Sequence, residues 1–223
     1  HGGGLDLIFP HHENEIAQSC CNNSTDKFAN YWVHNGFVTI NKEKMSKSLG
    51  NIISISDAVN KYSGQVVRLA LLSAHYSQPL DWNDDLLYSQ ESTLDKWYNL
   101  YSDQKENSFE IDEILLDDLN TPGYIAKIHE LYNAAIKGDK LKKIKFNQAC
   151  KLLGLFNISK KEWESSKKSK ISVSESYITE KIDERAKAKD SGNFALADKI
   201  REELLSKVII IEDQKEKTIW KVK

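Results

Sequence analysis

Two clusters of side chains in this sequence have spacings suited to chemistry. The first is Lys44-Met45-Ser46-Lys47-Ser48, followed by Leu49-Gly50-Asn51. Two ammonium groups three residues apart on a loop can close on a triphosphate and neutralise charge as it builds on a departing pyrophosphate. A bare Lys-x-x-Lys pair says little in a chain where, of 31 basic residues, only Arg68, Arg185 and Arg201 are arginine. The complete five-residue string is far more specific. The second cluster is His11 and Glu15. Positions i and i+4 share a helix face with Cβ atoms roughly 5 to 6 Å apart, and imidazole nitrogen with carboxylate oxygen suits zinc. A tetrahedral site needs two more ligands, and Cys20 cannot be one from the same helix, being roughly 13 Å further along the axis. On its own such a pair is by default a surface ion pair.

Three weaker signals lie close by. Gly2-Gly3-Gly4 lets a backbone approach a ribose or base, and Asp6 beside it is an acceptor for ribose hydroxyls. The run lacks the lysine of a P-loop and the spacing of a dinucleotide fingerprint, so a plain turn is its default reading. His12-Glu13 starts like a metalloprotease helix, but Ile16 stands where the second histidine is needed. Trp32 is by default a core tryptophan.

The elements that must position these groups read as mostly helical. Pro10 suits a first helical position, and a helix is expected over 10–21. The apolar run 36–40 reads as a strand that delivers the chain to Lys44. Ser56 is expected to cap a helix holding Ala58 and Val59, with Gly64 ending it, before an apolar helix over 66–72 and a longer one over about 84–104. Thr121 and Pro122 open a helix to 136, and 141–155 supplies another. Residues 165–176 have the serine content of a linker. Beyond them, helices over 177–189 and 194–206 precede runs 208–211 and 218–220, which read as a hairpin.

The net charge of −2 hides a pattern. Residues 1–136 are acidic, whereas residues 137–170 carry 11 lysines against Asp139, Glu162 and Glu164. Such a stretch suits a polyanion, and its default reading is a solvated helix face. No run approaches the roughly 18 apolar residues of a membrane span, which argues against a membrane partner. Cys20, Cys21 and Cys150 cannot form an even disulfide framework, and no apolar signal segment precedes them, so a reducing, cytoplasmic setting is expected. A chain opening on His1 within a glycine cluster reads as part of a longer polypeptide.

With its preceding His34-Asn35-Gly36-Phe37-Val38-Thr39, the lysine string resembles that of the class I aminoacyl-tRNA synthetases. The resemblance implies that Lys47 first and Lys44 second bind ATP and serve catalysis, with Gly3 and Asp6 near the nucleotide and Mg2+ accompanying it. His1 to Glu15 narrows the resemblance to the cysteinyl members of that family, in which the first histidine and last glutamate of Phe-Pro-His-His-Glu-Asn-Glu bind zinc. His11 and Glu15 match those positions. Two cysteines expected upstream of His1 would complete the site, and a substrate thiolate is a better zinc ligand than serine's hydroxyl, so no editing site is required. His1 and Trp32 then fall at the cysteine pocket.

The likeness extends through Asp117-Asp118-Leu119-Asn120-Thr121-Pro122, where the family usually has phenylalanine for Leu119. At the far end it implies anticodon contacts at Lys189, Phe194, Asp198 and Asp213. The family's common arginine and tryptophan are here Lys189 and Phe194, with less bidentate geometry and less stacking area.

The expected fold is mainly α with α/β parts. Residues 1–53 would end a Rossmann-type catalytic domain, 54–78 contact the acceptor stem, 79–168 form a helical bundle and 169–223 a small mixed α/β anticodon-binding unit. The expected partners are tRNA(Cys), ATP and L-cysteine, acting on a monomer with one Zn2+. The alternatives are a non-catalytic tRNA-binding module and a cysteine-activating amino-sugar ligase, whose kind lacks the C-terminal unit.

Overall fold

Helices dominate the computed structural model, which describes residues 1–46, 48–103, 111–168, 173–207, 209–213 and 218–222. The chain divides into two units, His1–Asn157 and Ile158–Lys223.

The first unit opens with β1 (Gly2–Gly4), paired in parallel with β2 (Val33–Asn35) so that Gly3 faces His34. A parallel pair needs a crossover, here supplied by α1 (Glu13–Asn23). This helix starts three residues later than expected. Phe9 precedes a proline and is extended (φ −136°, ψ 133°), so the chain bends through Ile8–His12 before regular helix begins at Glu13. Proline's suitability for a first helical position does not decide the boundary when the residue before it must leave the helical region.

A second sheet has the order β4-β3-β5. β3 (Val38–Ile40) and β4 (Glu43–Lys44) form a hairpin, and β5 (Leu80–Trp82) lies parallel to β3. The two turn residues, Asn41 and Lys42, are both left-handed, the backbone twist that suits a two-residue hairpin.

Helix starts follow their caps. Ser54, not Ser56, caps α2 (Ile55–Lys61), in a reciprocal box with Asp57. Ser63 caps α3 (Gly64–Leu72), so Gly64 opens that helix and does not end the previous one. Asn83 caps α4 (Asp84–Tyr98), which stops short of the expected end; Gln104 lies outside the described residues. Short α5 (Glu113–Leu116) precedes α6 (Thr121–Ile136), whose limits match the expected ones, and α7 (Lys140–Leu152). Their buried faces meet in a core that includes Leu69, Leu87, Leu94, Trp97, Ile128 and Phe146. Buried Gln65 ties this core together, bonding Tyr98 Oη at 2.9 Å and accepting the Phe156 N–H at 2.7 Å. Cys150 is fully buried, Cys20 half-buried and Cys21 exposed, and all three are free thiols.

The second unit begins with α8 (Lys160–Lys168). The first part of the expected linker is therefore helical, and residues 169–172 lie outside the described residues. α9 (Glu175–Asp190) and α10 (Phe194–Ser206) pack on an antiparallel hairpin of β6 (Ile209–Asp213) and β7 (Thr218–Val222). Ile178, Ile200, Leu204, Ile209 and Ile211 form its core, with Trp220 against them. Among the described residues no helix is long and apolar enough to cross a membrane.

Candidate functional site

The first turn of α1 places Glu15 where two imidazoles reach it. His1 Nε2 lies 2.9 Å from one carboxylate oxygen and His11 Nε2 lies 3.4 Å from the other. Glu13 and Glu15 also stand at the positive end of the helix, which favours carboxylates there. The tightest donor group among the described residues is His1, His12 and Glu15, whose ligand atoms lie within 4.8 Å of one another. His11 borders this group and is largely exposed. The bend before α1 turns His12 inward, and its Nδ1 meets His34 Nε2 at 2.9 Å.

Gly3 has a packing reason to be glycine. A Cβ there would sit 2.8 Å from Leu7 Cδ1 and 3.1 Å from His12 Cε1. Its backbone belongs to the β1–β2 pairing, and Asp6 lies exposed in the following turn.

An aromatic wall stands beside the carboxylate. The His1 ring is edge-on to Phe28 and to Trp32, each with centroids 4.9 Å apart. Trp32 stacks on His34 at 5.9 Å and 11°. Trp32 is half-buried in this wall. His12, His34 and Phe28 were not singled out from sequence as site residues. The His-His doublet was the available signal, but a straight helix starting at Pro10 assigns its second member no inward role.

Lys44 ends β4, exposed and without an ion pair among the described residues; Lys47 lies outside them. Asn51 braces the connection beyond Lys44. Its Oδ1 accepts the Ser46 N–H at 2.9 Å, and its Nδ2 donates to the Lys44 carbonyl at 3.2 Å. Beside this ribbon a cavity of about 390 Å³ is lined by residues including Ile40, Lys61, Trp82 and Asp84. In the basic stretch, Lys142 and Lys145 of α7 line a larger cavity of about 620 Å³.

In the second unit, Phe194 is 66% exposed at the start of α10, and Asp198 lies one turn on along the same face. Asp213 accepts hydrogen bonds from Lys189 Nζ at 2.7 Å and Thr218 Oγ1 at 2.8 Å, besides the guanidinium of Arg185. Arg185, Lys189 and Thr218, in that order, hold its carboxyl far below the usual carboxylate range. Lys189 and Asp213 are thus brought together as an ion pair, and most of the accepting capacity of Asp213 is used inside the fold.

Residues 1–92, which hold the carboxylate cluster and the lysine ribbon, match the family model for the tRNA synthetases class I (C) catalytic domain. Among individual proteins, the chain is 53% identical over its whole length to the cysteine-tRNA ligase of Pelagibacter ubique strain HTCC1062, covering 50% of that protein. It is 41% identical to the cysteine-tRNA ligase of Afipia carboxidovorans strain OM5, covering all of this chain and 48% of that one. To the cysteine-tRNA ligase of Rickettsia canadensis strain McKiel it is 44% identical, over 99% of this chain and 50% of that one. The chain spans about half the length of these relatives. A solved structure, the ternary LeuRS-tRNA-LeuAMS complex of Agrobacterium radiobacter K84, superposes with a TM-score of 0.53 at 20% identity. It covers 69% of this chain and 25% of the other, a likeness of fold alone.

Proposed function

We propose that this chain is part of a cysteine-tRNA ligase that activates L-cysteine with ATP and transfers it to tRNA(Cys). The observation that carries the reading is that similarity to proteins of that name covers the whole chain, both units included. Similarity through Ile158–Lys223 favours a tRNA ligase over an amino-sugar ligase or a module that binds tRNA without chemistry.

In this reading Lys44 and Lys47 neutralise the triphosphate of a Mg2+-bound ATP as pyrophosphate departs. A fixed ammonium group helps most where charge grows during the step, so its loss slows adenylate formation more than it weakens cysteine binding. Gly3 and Asp6 border the nucleotide, and His1 orients the substrate beside Trp32. The donor set around Glu15 fits zinc: imidazole nitrogens and carboxylate oxygens converge there, and two histidines reach the two oxygens of one carboxylate separately. His11 and Glu15 would hold the ion, with two cysteines from outside these residues, and bound zinc would supply a coordination position that favours a thiolate over a hydroxyl. Phe194 and Asp198 would face the anticodon, Phe194 by stacking and Asp198 by accepting from a base amino group. Lys189 and Asp213 would hold that surface in shape. The protein would work in the cytoplasm as a monomer.

The test is amino acid-dependent exchange of pyrophosphate into ATP, measured on the longest product of the gene, followed by transfer to tRNA. Cysteine-specific exchange with charging of tRNA(Cys) is the expected result. Exchange with cysteine but transfer to an amino sugar, or tRNA binding without exchange, would overturn the reading.

A further inference from the structure

Asp81 accepts three hydrogen bonds around the turn from which the lysine ribbon departs. Thr39 Oγ1 donates to its Oδ1 at 2.7 Å and the Lys42 N–H donates to the same oxygen at 2.6 Å. Asn83 Nδ2 donates to Oδ2 at 2.9 Å. The bond from Thr39, followed by those from Lys42 and Asn83, holds this carboxyl below its usual range.

The turn needs such restraint. Asn41 (φ 51°) and Lys42 (φ 68°) are successive left-handed residues with no glycine between them, a conformation disfavoured by the Cβ and kept only where surrounding bonds dictate it. β5 supplies those bonds to both residues, because the Asn41 N–H donates to the Trp82 carbonyl at 3.2 Å. Register carries the restraint across the sheet. Thr39 stands opposite Lys44 on one side and opposite Asp81 on the other, so Lys44, Thr39 and Asp81 make one row. Residues of a row point to the same face, two strand spacings, roughly 10 Å, separating its ends. A slip of one residue in the hairpin would send the Lys44 side chain to the opposite face.

We infer that Asp81 is a positioning residue for Lys44. By holding the Asn41-Lys42 turn it sets the register of β4, and with it the face from which the ammonium reaches a nucleotide. The inference rests on the proposed reading that Lys44 serves ATP, and Asp81 itself touches no reacting atom.

A double-mutant cycle in pyrophosphate exchange, on the longest product of the gene, tests it. Asp81→Ala is expected to raise the KM for ATP or lower kcat at least tenfold, with the KM for cysteine changed less than twofold. Asp81→Asn keeps an oxygen for Thr39 and Lys42 and is expected to stay within about threefold of the parent. The pair Asp81→Ala with Lys44→Ala is expected to be no slower than Lys44→Ala alone. Multiplicative effects in the pair, or a normal ATP response in folded Asp81→Ala, would overturn the inference. If Lys44→Ala by itself leaves exchange unchanged, the reading of Lys44 has failed and the inference falls with it. If Asp81→Ala does not fold, Thr39→Val takes its place in the cycle with the same expected non-additivity.

Discussion

Arg185 meets Asp213 with two hydrogen bonds, Nη1 to Oδ1 at 2.8 Å and Nη2 to Oδ2 at 3.0 Å. The guanidinium side is almost sealed, with 7% of the side chain exposed, while the carboxylate side keeps 46%. One partner is thus screened by water and the other is not, and the pair fastens α9 to the end of β6.

This clamp gives the second unit a defined response to acid. Asp213 titrates near 4 when unfolded and well below that when folded, so its contribution is fully present above pH 4 and is lost as pH falls towards the folded value. Protection of the Ile209 and Ile211 amides from hydrogen exchange is expected to weaken below pH 4. Arg185→Ala is expected to cost about 2 kcal/mol at pH 7 and to flatten that dependence. Unchanged acid sensitivity in the variant would show that other carboxylates govern it.

Glu15→Gln keeps the shape of the side chain and removes its charge. Zinc content is expected to fall, with affinity reduced about tenfold or more, and serine to be activated more readily against cysteine. Full metal occupancy and normal rejection of serine would count against His11 and Glu15 as ligands.

Lys47→Ala is expected to slow cysteine-dependent pyrophosphate exchange by about a hundredfold, with the KM for cysteine nearly unchanged. An unaltered exchange rate would refute the electrostatic role of the lysine pair.

Phe194→Ala is expected to weaken tRNA binding through the loss of one stacked base, worth about 1–3 kcal/mol, whereas Phe194→Trp should restore or exceed the parent affinity. A filter-binding titration with tRNA(Cys) decides, and equal affinity for all three forms would remove Phe194 from the interface.

Helices were legible in the sequence where a cap and an apolar period agree. Asn120-Thr121-Pro122 marks the start of α6, and the Ile128 and Leu131 face continues it inward. α1 was displaced because the rule placing proline early in a helix competes with the extended backbone required of Phe9. β1, β2 and β5 are three residues long, too short for a period of two to declare itself. The site was legible as spacing in His11 and Glu15 and as a string at Lys44. It was illegible where it depends on distant partners. His1 comes to Glu15 across 14 residues and Thr39 to Asp81 across 42, separations that local pattern does not encode.

Cys150 has no access to solvent, and burial pushes its thiol well up, whereas Cys21 is exposed on α1. An electrophilic label therefore discriminates between them without mutagenesis, because Cys21 is open to the reagent whereas burial shields Cys150 and disfavours its reactive thiolate. A fluorophore introduced this way would report from the helix that carries Glu15, and delayed modification of Cys150 would time the opening of the helical core.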